Sequence, residues 1–158
     1  MDETLILLAK EVRGKTLRLL EGVDDGQARF AAPGLNNTIL WQGGHALVVV
    51  EHLAVSPATE QPPAYPAGWW EKFSWQSKPA AVTSWPTVDQ VRSALREQLQ
   101  RLLAAIEPLS EQQLNKIVDA ARNRTLRYSI LHGLHDEAGH QGEMYLLKKM
   151  AAVAASSQ

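Results

Sequence analysis

The chain has 158 residues, a length suited to one domain over 1–158, and its 16 basic and 17 acidic residues leave a formal net charge of −1. That near-balance removes the electrostatic case for nucleic acid as the main partner. Cysteine is absent, which excludes disulfides, thiolate nucleophiles and Cys-ligated metal. A metal would be held by His, Asp or Glu, and thiol chemistry would need a thiol from outside.

At the N-terminus acidic Asp2 and Glu3 precede a short apolar run, unlike a secretory leader. No stretch approaches the roughly 18–20 apolar residues of a membrane span. A soluble cytoplasmic protein with no membrane partner is expected. The first segment, about Glu3–Glu21, repeats Leu5, Leu8, Val12, Thr16 and Leu19 at helical spacing and ends at Gly22 and Asp24-Asp25-Gly26. After the Ala31-Ala32-Pro33-Gly34 loop, Asn36 or Asn37 can cap a second helix running to Ser56-Pro57. Gly43 and Gly44 in its middle each cost about 1 kcal/mol of helix propensity relative to alanine, so close packing or site access is the expected reason.

Residues 57–86 hold six of the eight prolines and four of the five tryptophans. A connection this long is functional or disordered, and its tryptophans argue against disorder; a cover over a cleft or a dimer contact is expected. Thr87-Val-Asp-Gln90 fits a capping box opening a third helix to Ile106, with Val91, Leu95, Leu99, Leu102 and Ile106 on one face. Ser110-Glu-Gln-Gln113 repeats the signal for a short turn that fades near Ile117, and Thr125 opens the last helix. No strand-like alternation of useful length appears. The expected fold is all-α, a four-helix bundle with one long Trp/Pro-rich crossover between helices two and three.

All five histidines fall in two of these helices. Positions four apart lie about 40° apart on a helix and about 6 Å along it, so Asp136 and His140 share a face. His135 is about 140° round from His140, and His132 lies about 12 Å from it along the axis, too far for a common ligand sphere. A third ligand must come from another helix, and His45, beside the paired glycines, is the candidate. Such a set with open positions suits a catalytic site, and Zn²⁺, Ni²⁺, Fe²⁺ or Mn²⁺ about equally. The plainer alternatives are a hydrogen-bonded core histidine at 45, a solvated face at 136 and 140, and surface or supporting roles for His52, His132 and His135. Glu137 and Glu143 are weak candidates for orienting a ligand or moving a proton, and Glu51 is weaker still. Arg122, Arg124 and Arg127 oppose the dipole of the last helix; an acid or a substrate carboxylate would offset them, although surface solvation is the favoured explanation.

"NTILWQGGHALVVVEHL" resembles the second helix of the DinB-like (DinB/YfiT) proteins, and "HDEAGHQGEMYLLKK" resembles their last helix. The resemblance spans most of the chain, with 57–86 as a poorly matching insert. It implies a four-helix bundle, often dimeric, holding a divalent metal on three side chains. Characterised relatives include transferases and isomerases that use a small thiol such as bacillithiol or mycothiol. Carried over by position, the ligands fall on His45, Asp136 and His140, with aspartate where the family usually has histidine. The function implied is a metal-dependent protein, a small-molecule transferase or hydrolase using an external low-molecular-weight thiol. The alternative is a non-catalytic dimeric bundle with a vestigial metal site.

Overall fold

The structure, a computed structural model, describes residues 2–156. Asp2 caps α1 (Glu3–Leu20), its carboxylate accepting from Leu5 N at 3.0 Å. The buried face of α1 is Leu5, Ile6, Ala9, Val12, Arg13, Thr16 and Leu20, rotated from the apolar stripe expected, and Leu8 is 37% exposed. The rotation turns Arg13, a large and fully buried side chain, onto Glu137 inside the helical body. A capping box, Asp24 with Gln27, forms the one-turn helix α2 (Asp25–Ala28) where only a stop was expected.

Thr38, rather than Asn36 or Asn37, caps α3 (Ile39–Val50), accepting from Trp41 N at 3.2 Å. Every residue of α3 is buried, as expected of a helix apolar all round. The helix does not run on uniformly. It loosens into a π turn at Glu51–Val55 before α4 (Ser56–Thr59), and such turns often accompany functional sites. The crossover then folds α5 (Trp69–Phe73) against α3 and seats Trp69 and Phe73 in the core.

Capping boxes at Thr87 and Ser110 open α6 (Val88–Ile106) and the one-turn α7 (Glu111–Leu114) as the sequence indicates. Where no strand was expected, β1 (Ile117–Asp119) pairs antiparallel with β2 (Arg124–Thr125). The connecting turn closes through Asn123 in the left-handed region and through Asp119, which accepts from Arg122 N at 3.2 Å. Three residues against two are too short to show alternation. α8 (Leu126–Ser156) completes the chain, with Thr125 Oγ1 accepting from Tyr128 N at 3.1 Å.

α1 and α3 each pack against both α6 and α8. Two apolar clusters result. One joins Leu20, Leu40, Val91, Leu95 and Met144 to Phe73 of the crossover; the other joins Leu5, Ala54, Leu102, Ile130 and Leu134. Buried polar residues fall between them on each long helix: Arg13 and Thr16, Glu51, Gln98, and Glu137 and Gln141. The site lies at this level. Among the described residues no helix is long and apolar enough to cross a membrane.

Candidate metal centre

His45 enters from α3, and Asp136 and His140 from one face of α8, so the helical spacing of the last two is realised. One ligand atom from each of the three lies within 4.8 Å of the others. Asp136 Oδ2 is 3.6 Å from His45 Nε2 and 3.4 Å from His140 Nε2. The His45 and His140 rings meet edge-on at 4.7 Å, and Trp41 stacks on His45 at 4.4 Å.

The other ring nitrogens are engaged. His45 Nδ1 is 2.6 Å from the Phe73 carbonyl oxygen, which can only accept, so Nδ1 carries the proton. His140 Nδ1 bonds Gln42 Oε1, and Gln42 Nε2 donates to Glu143. With the amide nitrogen turned to Glu143, the amide oxygen faces His140 and accepts from its Nδ1. With its proton on Nδ1, each imidazole in its neutral form turns an Nε2 lone pair toward Asp136.

Asp136 Oδ2 is buried and has no hydrogen-bond partner; no other buried side-chain nitrogen or oxygen among the described residues lacks one. A buried carboxylate oxygen facing two ring lone pairs is costly unless something positive stands between them. Two nitrogens and one carboxylate are a sound donor set for a divalent transition ion. The residues fit the group that the sequence implies.

Burial pushes the His45 imidazole below its usual range, while the Phe73 carbonyl pulls the other way. Burial also opposes ionisation of Asp136, yet the closeness of the His140 imidazole, joined by those of His45 and His132, holds its carboxyl below its usual value. Each shift favours the deprotonated form, the form that ligates metal.

The remaining acidic candidates separate cleanly. Glu137 turns into the core, where Arg13 Nε and Nη2 grip it at 2.8 and 2.9 Å and Thr16 Oγ1 donates at 2.6 Å. Glu51 is likewise buried, held by Arg101 at 2.9 and 2.8 Å, by Gln98 and by the amide of Ala64 at the start of the crossover. Glu143 is exposed and is linked to the triad through the Gln42 amide. His52 packs against Trp70 and Trp75, and His132 stacks on Tyr128. His135 is exposed. Gln42 carries no motif of its own; its one signal in the sequence is a polar residue in a largely apolar helix, three positions before His45.

The crossover builds the site as well as covering it. Beyond the Phe73 carbonyl, Ser77 accepts from Trp41 Nε1 at 2.9 Å and so steadies the ring stacked on His45. Gly44 makes this possible, because a Cβ there would lie only 2.3 Å from the Phe73 ring. A cleft of about 1140 Å³ opens from His45 and Asp136 and runs between the π turn and the β1–β2 ribbon, past Leu53, Trp75 and His132.

No curated protein matches the sequence. A conserved protein from Enterococcus faecalis, known from a crystal structure, is similar in fold, with a TM-score of 0.79 and 13% identity over 95% of this chain and 96% of that one. The model of the DinB superfamily matches residues 8–144, nearly the whole helical body including all three residues of the triad. The chain belongs to the DinB superfamily.

Proposed function

We propose that the protein is a divalent-metal-dependent member of its superfamily, acting on a small molecule as a transferase or hydrolase with a low-molecular-weight thiol as co-substrate. The long helices form its four-helix bundle, His45, Asp136 and His140 hold the ion, and the protein works in the cytoplasm as a homodimer. One observation carries the metal assignment: Asp136 Oδ2 is buried without a partner while two histidines, each tied at Nδ1, turn Nε2 toward it. Zn²⁺, Ni²⁺, Fe²⁺ and Mn²⁺ all suit this donor set. When bound, such a cation supplies Lewis-acid polarisation to a donor atom of an incoming ligand.

The chain's own residues prepare that encounter. Phe73 O and Gln42 hold the two rings in one tautomer and one orientation, support that commonly decides how well a site binds its metal. Trp41 and the crossover shield one side from water, while the cleft leaves the other side open. In this assignment Glu137 is a structural partner of Arg13, and Glu143 acts through Gln42. Support for the dimer comes from one face of α8, where Leu131, Tyr145 and Leu146 are 39%, 55% and 51% exposed.

Metal content after purification without a histidine tag tests the assignment. Wild type is expected to hold near-stoichiometric divalent ion and His140→Ala to lose it; equal trace amounts in both would overturn it. The second reading, a non-catalytic bundle, is favoured by aspartate standing where relatives carry histidine, since Asp136 can pair with protonated His45 and His140 and need no ion. It predicts a melting temperature indifferent to chelator and to added metal.

A further inference from the structure

The cleft that begins at the triad is walled at its far end by the β1–β2 ribbon, whose cations are unevenly neutralised. Lys116 Nζ lies 2.5 Å from Glu60 Oε1, and Arg122 Nη1 lies 3.1 Å from Asp119 Oδ2. Arg127, at the start of α8, pairs with Asp2 and Glu111. Arg124 differs. Half-buried in the cleft wall, it makes no salt bridge and no side-chain hydrogen bond among the described residues, and its guanidinium stands 5.0 Å over the Tyr128 ring. Asp119, the acid that feels its charge, is already held by Arg122. Arg124 also sits beside the N-terminus of α8, where the helix dipole disfavours a cation that lacks an anion.

The cleft wall carries the apolar side chains Val49, Leu53, Pro57, Trp75 and Val118, with Ser129 and His132 of α8 among its polar ones. From Leu126 to Asp136 the axis of α8 advances about 15 Å, a span that the arginine side chain shortens. We propose that the cleft binds a small carboxylic acid, its carboxylate on Arg124 and its apolar body along this wall, so that its other end reaches the triad. The proposal rests on the triad being the reaction centre. One planar guanidinium matches a carboxylate with two parallel N–H donors. A phosphate dianion would call for a second unpaired cation, and Lys116 and Arg122 already have theirs.

Calorimetric titration with 3-phenylpropionate, its neutral amide and 2-phenylethyl phosphate tests this, on wild type, Arg124→Gln and Arg124→Lys, each with chelator and again with one equivalent of Zn²⁺. The acid is expected to bind chelated wild type, to lose about 10-fold or more in affinity in Arg124→Gln, and to recover part of it in Arg124→Lys. The amide should bind wild type and Arg124→Gln equally and weakly. Equal acid affinity in wild type and Arg124→Gln, absence of acid binding to wild type, or tighter binding of the phosphate would overturn the proposal. So would acid binding that appears only with Zn²⁺, which would seat the carboxylate at the triad and leave the metal assignment standing. If Zn²⁺ fails to bind while the acid still depends on Arg124, the anchor holds and the metal assignment falls. Circular dichroism of both variants confirms that each is folded.

Discussion

Asp136 and Glu137 are neighbours on α8, yet they end in opposite surroundings. Glu137 is closed off: both of its oxygens are bonded by Arg13, one is shared with Thr16, and Gln98 and Gln141 continue the network to backbone carbonyls on α3 and α1. Asp136 lies at the same level of the helical body, but one of its oxygens has no partner and it borders a cleft. A polar layer between two apolar clusters thus has a finished half and an unfinished half. Saturated buried polar groups fix how helices align. Unsaturated ones that converge on a point are poised for a ligand.

The comparison can be broken most forcefully on its closed side. Arg13→Met leaves Glu137 buried and uncompensated and is expected to cost about 3–5 kcal/mol in urea unfolding. The double variant Arg13→Met, Glu137→Leu should regain most of that loss and keep the metal content of wild type. Loss of metal in the double variant would show that the two halves are not independent.

Gly44→Ala strikes the junction of the two regions, since the new methyl group displaces the Phe73 ring and with it the carbonyl that orients His45. Overpacking of this kind costs about 1–3 kcal/mol. Here, unlike the double variant, metal affinity should fall together with stability; a stability loss with unchanged affinity would count against the role given to Phe73.

Gln42→Leu acts on the open side alone. It frees His140 Nδ1 and should weaken metal binding about 10–100-fold, measured by competition with a chromophoric chelator. Unchanged affinity would remove Gln42 from the site.

The mildest test is pH, on chelated protein. His45 and Asp136 both hold protons less readily when folded than when unfolded, so the unfolded chain takes up protons first as pH falls. The His45 contribution is present in full above the usual imidazole value of 6.5 and is lost below it; that of Asp136 is lost only below 3.8. Melting temperature should therefore decline between pH 7 and 5.5 in wild type and more shallowly in His45→Gln. Parallel profiles would contradict the assignment of this decline to His45.

Much of the helical scaffold was legible because its signals are local. The capping boxes at Thr87 and Ser110, the opening at Thr125 and the 136–140 spacing on one helix each depend on residues within a turn or two. The π turn at Glu51–Val55 and the rotated face of α1 carried no such mark. Nothing local marks Arg13 and Gln98 for burial, because the partners that hold them lie 124 and 47 positions away.

The sequence alone settled which residue types could hold an ion, since a chain without cysteine leaves histidine and carboxylate, and helical periodicity put Asp136 beside His140. Tertiary structure decided the rest: that His45 meets them, that Phe73 and Gln42 orient the two rings, that Glu137 is spent on Arg13, and that Arg124 makes no salt bridge among the described residues. The reason is that ligand geometry, hydrogen-bond saturation and desolvation belong to contacts between distant segments, which periodicity along one segment does not encode.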